Sequence, residues 1–402
     1  MSERESLNLQ TMKKKIVIFT YSIGGAGAEK VAANLFNNLS KDKYDIQLVL
    51  MNTMIEYNIS TEQKIHFIEK SDMSESGLKK FIKLPVLAMK FAKYCNENEI
   101  DLVLSLMSRP NIIAGLSKIF GIKAKVLISE RCYTPCIYST KTFIGKIKAA
   151  VLKFAYRRAD AILPNSKGTA IALQSHFSIQ SEYSVVKNPT DINAINTLKL
   201  LPVAKNWDVN KFTFINVAAF REEKNHRLLI SAVEEIRNLD FQLLLIGKGI
   251  ELEPIKAMVK KSELDHKVFF INFTDNPYRY MHRADCFLLS SSSEGFPNVL
   301  IESMVCGLPI ISVDCKTGPR ELLAPNSSLN TVIKNSDFEI AEFGILTAPL
   351  SKTAMANAMK WAIQNPGALQ NYKEKIVVKA NDYEMGSVLN EFSEIFDLYA
   401  KP

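Results

Sequence analysis

Three stretches of this sequence combine residue types and spacings that could bind an anion beside a polyhydroxyl ligand. In Ser290–Met304, SSSSEGFPNVLIESM, Gly295 supplies a turn and Pro297 suits the first turn of a helix, where its missing N–H costs nothing. Phe296 lies between them, and the amides of Asn298 and Val299 would then point at an anion. Glu294 falls in the loop and Glu302 more than a turn into the helix. Carboxylates accept from vicinal hydroxyls, so the pair suggests a sugar and a ribose, although ordinary exposure would explain two such glutamates as well. Arg221 and Lys224, in AAFREEKNH, follow a strand-like run. Two cations there could clamp a diphosphate and neutralise charge that builds on a leaving group, or they could be a solvated pair balanced by Glu222 and Glu223. The third stretch, SIGGAGAEK from Ser22 to Lys30, is a glycine-rich strand-to-helix turn. Gly27 lets the backbone approach a ligand and the helix end offers N–H groups to a phosphate, or the turn is simply tight. The G-x-G-x-x-G spacing of dinucleotide sites is absent.

The elements that position these stretches alternate in type. Near-continuous apolar runs at 13–21, 45–51, 101–107, 125–130, 160–166 and 183–188 alternate with helical patterns such as 29–40, and the scheme repeats with runs at 211–219, 241–247, 267–272, 284–291 and 308–314. Such runs suit parallel strands covered on both faces, so the expectation is α/β: two tandem, doubly wound sheets built from right-handed βαβ units, facing a central cleft. Ligands of this architecture bind at the carboxyl ends of the strands. The expected division is a first domain over 12–195, a second over 196–384, and a helix over 385–402 that packs back on the first. The polar stretch 197–210 is the candidate linker.

At 402 residues the chain is too long for one ordinary core, and 47% hydrophobic with 23% charged residues excludes collagen-like, low-complexity or wholly disordered classes. No apolar run reaches the roughly 18–20 residues of a membrane-spanning helix. The acid-containing N-terminal stretch does not read as a signal peptide. The six cysteines show no metal or redox spacing, and buried, reduced thiols in a reducing compartment are expected.

Charge is uneven. The net of +8 splits into +11 over residues 1–200 and −3 over 201–402. Two acid-free basic stretches, Lys79–Lys93 and Lys141–Arg158, carry much of the excess. In the latter, helical spacing puts Phe143, Ile144, Ile147, Val151, Phe154 and Ala155 near one stripe flanked by basic groups. That stripe either faces the core or lies on an anionic membrane surface. Neither stretch follows a nucleic-acid module, so no nucleic-acid partner is expected.

With Glu294 and Glu302 eight apart in EGFPNVLIE, the chain resembles the GT-B glycosyltransferases of family 4 and their E-x7-E motif. AGAEKV (26–31) is similar to the family's GGAERV turn, ADAILPNS (159–166) to its inter-domain strand, and KNPTD (187–191) to its hinge. The likeness runs from about residue 13 to 398. It implies a metal-independent, retaining transfer of a hexose or N-acetylhexosamine from a nucleoside-diphosphate sugar, UDP-linked by expectation, with no cofactor. Arg221 and Lys224 would hold the donor diphosphate, Glu294 the transferred sugar and Glu302 the ribose hydroxyls, while Gly27 would bring backbone to the phosphates. No Asp-x-Asp occurs, in keeping with metal independence.

Three departures stand out. Ala219 occupies the place of a frequent arginine, so Arg221 would substitute. Ser129-Glu130-Arg131 replaces a frequent histidine, and Arg131 is expected on the ligand side. Ala26 replaces the first glycine of the family's pair. The basic first half would face the acceptor, expected to be a lipid-linked glycan or saccharide in polysaccharide, O-antigen or capsule assembly. The expected location is cytoplasmic, peripheral at the inner face of the cell membrane. The competing readings are a non-catalytic nucleotide-sugar or membrane-surface binding module on the same fold and, more remotely, a nicotinamide oxidoreductase.

Overall fold

The computed structural model describes residues 13–25, 27–60, 64–70, 75–138, 142–180, 183–203, 208, 210–334 and 336–400. Ala26, Lys141 and part of the expected linker lie outside them. The chain divides into two compact units, one comprising residues 1–165, 169–189 and 388–402, the other 166–168 and 190–387.

The first unit is built on six parallel strands: β1 (Lys14–Thr20), β2 (Tyr44–Leu50), β3 (Lys64–Phe67), β4 (Leu102–Leu106), β5 (Lys125–Ser129) and β6 (Ala161–Ile162), in the order β3-β2-β1-β4-β5-β6. That is the doubly wound Rossmann order, whose switch point lies between β1 and β4. Side chains alternate across a strand, so a sheet covered on both faces needs apolar residues at every position. β1 obeys this: Ile16 and Ile18 enter one core, Val17 and Phe19 the other. The first of these cores takes in α1 (Gly27–Asn38). The other takes in α3 (Leu84–Glu97), α4 (Ser108–Ser117), α6 (Phe143–Tyr156) and α7 (Lys167–Phe177), with Phe81 of the short α2 (Gly77–Ile82) packed against it and α5 (Thr134–Ile137) outside it.

The second unit holds α8 (Ile192–Leu198), β7 (Thr213–Val217), α9 (His226–Glu235), β8 (Gln242–Gly247), α10 (Leu252–Lys261), β9 (Val268–Asn272), α11 (Tyr278–Met281), β10 (Cys286–Leu289), α12 (Asn298–Val305), β11 (Ile310–Val313), α13 (Pro319–Leu323), β12 (Phe338–Ala341), β13 (Gly344–Thr347), α14 (Lys352–Gln364) and α15 (Pro366–Ala380). Its sheet runs β12-β13-β11-β10-β7-β8-β9, parallel except for β12 against β13, and its switch point lies between β7 and β10. The last helix, α16 (Met385–Tyr399), buries Val388, Phe392 and Phe396 in the α1-side core of the first unit.

Several expectations shift. The boundary falls at Pro189–Thr190 rather than 195, because Ile195 of α8 joins the second core. The run 183–188 forms one bridge, Tyr183 to Ile162, and no strand: Pro164 has no N–H to continue a ladder beyond β6. Strands β3, β12 and β13 were not expected; β3 and β12 are short and largely half-buried, so they lack an apolar run. Cys95, Cys286, Cys306 and Cys315 are buried free thiols, but Cys132 is half-buried and Cys136 exposed, against the expectation for all six. Among the described residues no helix is long and apolar enough to cross a membrane.

Candidate functional site

In the second unit, the loops that leave β7 and β10 flank the switch point, and the sequence's charged candidates sit on them. After β7 the chain turns through Arg221 into a short 3-10 turn, Glu222–Lys224. After β10 it runs through the four serines to Glu294. Backbone and hydroxyl bonds lace the two loops together. The Ser290 hydroxyl donates to the Lys224 carbonyl (2.7 Å), and the Ser292 amide donates to the Glu223 carbonyl (2.9 Å). Across this seam Lys224 Nζ donates to Glu294 Oε1 at 2.6 Å. Burial pulls the Lys224 pKa down, but the adjacent Glu294 carboxylate overrides it and leaves the pKa above the usual lysine value, so the ammonium stays charged. Cys315 shares this surround; burial, then the Glu294 charge, push its thiol well up, so it stays protonated. Arg221 is exposed, and its side chain has no hydrogen-bond or ion-pair partner among the described residues.

Two further loops support this seam. The Glu294 carbonyl accepts from the Thr317 amide (2.7 Å) and hydroxyl (3.0 Å), and that hydroxyl also reaches the Gly295 carbonyl (2.8 Å). Gly318 follows at φ +97°, where a side chain would be strained, and a Cβ there would come within 2.7 Å of Pro297 Cδ. On the other side the β8 loop passes under Phe220. A Cβ on Gly249 would lie 2.3 Å from the Phe220 carbonyl oxygen, and one on Gly247 2.0 Å from that of Ala218. Phe220 is fully buried and stacks on buried His226, ring centroids 4.2 Å apart. Burial, then the Lys224 charge, lower the His226 pKa to about 4, so the ring is neutral.

The stretch after Glu294 is close to what the sequence suggests, with one correction. Pro297 does not stand in the first turn of α12. It precedes the helix as its N-cap, with the extended dihedrals φ −76° and ψ 106°, where the chain from Gly295 to Pro297 bends closely past Gly318. Asn298 and Val299 open the helix, which no side chain caps. The half-buried Phe296 ring packs toward Tyr383, centroids 5.5 Å apart, and Glu302 lies four residues after Asn298 with its side chain largely buried.

The first unit's candidates have different surroundings. Gly27 opens α1, and the buried Glu29 carboxylate in that first turn accepts from the Ser22 hydroxyl. The helix end thus carries an anion of its own. Gly25 adopts φ +96°, and its carbonyl accepts from the Tyr57 hydroxyl (3.0 Å). Across the switch point Met107 takes φ +75° and ψ 149°, a conformation that costs a non-glycine residue about 1–3 kcal/mol and that nothing in the sequence marks. Arg131, expected on the ligand side, is buried, and one of its terminal nitrogens has no hydrogen-bond partner among the described residues. Its guanidinium donates to the Ser129 hydroxyl (2.8 Å) and to Asn188, and lies over the Phe392 ring of α16. Burial lowers its pKa to about 9. Glu130 is also buried and accepts from the Tyr156 hydroxyl and from the amides of Arg131 (3.0 Å) and Cys132 (3.2 Å); burial raises its pKa despite these bonds.

Sequence reasoning found Arg221, Lys224, Glu294 and Glu302 by residue type. It missed Gly247, Gly249, Thr317, Gly318 and His226. A glycine pair at a strand end, as in Gly247-Lys248-Gly249, was a usable signal; Thr317 and His226 had none.

Known proteins resemble this chain over nearly its whole length. Residues 25–194 match the model for Glycosyltransferase Family 4, and residues 200–377 the model for Glycosyl transferases group 1. A Campylobacter jejuni protein, N-acetylgalactosamine-N,N'-diacetylbacillosaminyl-diphospho-undecaprenol 4-alpha-N-acetylgalactosaminyltransferase, is 35% identical over 92% of this chain and 96% of its own. Among solved structures, a sucrose-phosphate synthase from Thermosynechococcus elongatus gives a TM-score of 0.78 at 17% identity, covering 96% of this chain and 99% of that one. Anabaena HepE in complex with UDP gives 0.72 at 16%, covering 95% and 99%. At such identities the structural likeness establishes the fold.

Proposed function

This chain belongs to the GT-B glycosyltransferases of family 4 and acts as a glycosyltransferase on a lipid-linked or polysaccharide acceptor; from that premise we propose that it moves an N-acetylhexosamine or hexose from a UDP-sugar to a diphospho-undecaprenol-linked saccharide. The transfer retains anomeric configuration, needs no metal ion, and takes place at the inner face of the cell membrane. The Campylobacter relative's name supports the acceptor class and the N-acetylhexosamine, and the UDP-bound Anabaena structure supports the nucleotide.

One observation carries the reading: the Lys224–Glu294 ion pair at the switch point of the second sheet, 2.6 Å long and flanked by exposed Arg221. The donor diphosphate competes with Glu294 for the Lys224 ammonium, and Arg221 supplies the second cation. Both cations, with the opening amides of α12, offset the charge that grows on the leaving diphosphate. Glu294, released from Lys224, accepts from a hydroxyl of the transferred sugar. Glu302 takes the ribose hydroxyls.

The test is a screen of UDP-, GDP- and ADP-sugars with a lipid-linked saccharide acceptor, with and without EDTA, and NMR of the product's anomeric centre. UDP-sugar turnover unaffected by EDTA and a retained anomer are expected. Turnover of GDP- or ADP-sugars alone would replace the donor, an inverted product would end the retaining proposal, and silence with every donor would remove the reading.

A further inference from the structure

Glu294 is held by its backbone as well as by its carboxylate. Its amide donates to the Lys316 carbonyl (2.9 Å) and its carbonyl accepts from the Thr317 amide (2.7 Å), so two consecutive residues after β11 hold both of its ends. A parallel bridge between Ser293 and Lys316 belongs to the same contact. Backbone bonds of this kind need no particular side chain, but the Thr317 hydroxyl adds something they do not. It lies 3.0 Å from the Glu294 carbonyl oxygen and 2.8 Å from the Gly295 carbonyl oxygen, across the residue that leads from Glu294 towards α12. That joint is a glycine, whose missing Cβ leaves its torsions less restricted than those of any other residue type. Thr317 is buried, 7% exposed, so water does not replace the hydroxyl readily. The groups on either side of the joint are anchored independently of it. The Lys224 loop is fixed by Ser290 and Ser292, and α12 by Leu300, Ile301 and Met304 in the core of the second unit.

We propose that Thr317 is a positioning residue: its hydroxyl restrains the Gly295 joint and so keeps the Glu294 carboxylate in register with Lys224 and the opening of α12. This deepens the proposed function and rests on it for the part played by Glu294. In that reading the two sides of the joint have different tasks. Arg221, Lys224 and the α12 amides hold the diphosphate, while Glu294 meets the transferred sugar. Loosening the joint displaces the carboxylate and leaves the diphosphate contacts where they are. The rate then falls while the nucleotide still binds, because a misplacement of about 1 Å at a reacting centre can cost roughly 10²-fold.

The experiment compares the full unaltered chain with Thr317→Val, which removes the hydroxyl and keeps the shape, and Thr317→Ser, which keeps the hydroxyl. Thr317→Ala, which crowds nothing, replaces the valine variant if that chain does not fold. Three quantities are measured: amide hydrogen exchange over residues 290–300 of the ligand-free chain, UDP affinity by calorimetry, and kcat for turnover of a UDP-sugar. In Thr317→Val, exchange should quicken several-fold and kcat should fall at least about tenfold, with UDP affinity within about twofold of the unaltered chain. Thr317→Ser should restore most of both. An unchanged kcat and exchange in Thr317→Val overturns the proposal. So does a serine variant as impaired as the valine one, because the hydroxyl would then not be the cause. A parallel loss of kcat and UDP affinity with a lowered melting temperature also overturns it, leaving Thr317 a structural residue only. Quickened exchange in Thr317→Val, restored by serine, in a chain that turns over no sugar nucleotide would instead remove the proposed function and leave the hold on Glu294 standing.

Discussion

The two sheets share a strand order around their switch points and use them differently. In the second unit the loops after β7 and β10 bring a lysine and a glutamate together and leave an arginine at the surface. In the first, Glu29 accepts from Ser22, Glu130 accepts from Tyr156 and two amides, and Arg131 donates to Ser129 and Asn188 and keeps one buried terminal nitrogen without a partner among the described residues. One topology thus sets an ion pair beside an exposed arginine in one place and a glycine-rich turn with internally bonded charges in the other. A fold class alone would not have separated them.

The sharpest way to break the contrast is Glu294→Gln, which keeps the shape and removes the charge. Turnover of the UDP-sugar should fall about 10²–10³-fold while the fold persists, as judged by circular dichroism. A variant with near-normal turnover would leave the second unit's charges without a catalytic part. Next comes Arg221→Ala. This side chain has no partner to strand, so a rise of roughly tenfold or more in donor KM with unchanged melting temperature is expected.

Gly249→Ala should cost about 2–4 kcal/mol and lower the melting temperature by several degrees, since the Phe220 carbonyl cannot yield to a Cβ. A substitution without effect would mean the β8 loop does not brace Arg221–Lys224. Arg131→Met probes the first unit: a lower melting temperature with unchanged donor KM is expected, whereas a KM effect alone would put Arg131 back on the ligand side.

The last effect concerns pH. His226 is neutral when folded, with a pKa near 4 against 6.5 for the unfolded chain, so the unfolded chain binds the extra proton between those values. Stability should therefore fall as pH drops from about 6.5 to about 4, by up to about 3 kcal/mol. His226→Phe should flatten that slope in urea titrations; a slope that persists would assign it to other groups.

Much of this was legible in the sequence, because parallel strands buried on both faces must be nearly continuous apolar runs, and β1 is one. The chemistry on the second unit's loops was legible too, because Glu294, Lys224 and Arg221 declare themselves by charge. What failed did so for tertiary reasons. The α6 stripe reads alike whether it faces core or solvent, and the structure divides it: Phe143, Ile144, Ile147 and Phe154 are exposed, while Ala155 is buried and Val151 packs against the core. No local pattern showed that Asn188, fifty-seven residues on, would hold the Arg131 guanidinium. Gly318 and Thr317 matter through what touches them, and that is not written beside them.

The return of α16 to the first unit has a consequence for synthesis. Residues 190–387 complete the second unit as they leave the ribosome, while the earlier unit waits with its α1-side core unfinished until Val388, Phe392 and Phe396 arrive. Burying those three side chains contributes roughly 5–9 kcal/mol before ordering costs, comparable to the whole stability of a typical domain. The half that starts first therefore finishes last, and a nascent chain stalled short of residue 388 would offer chaperones the part of that core that α16 leaves uncovered.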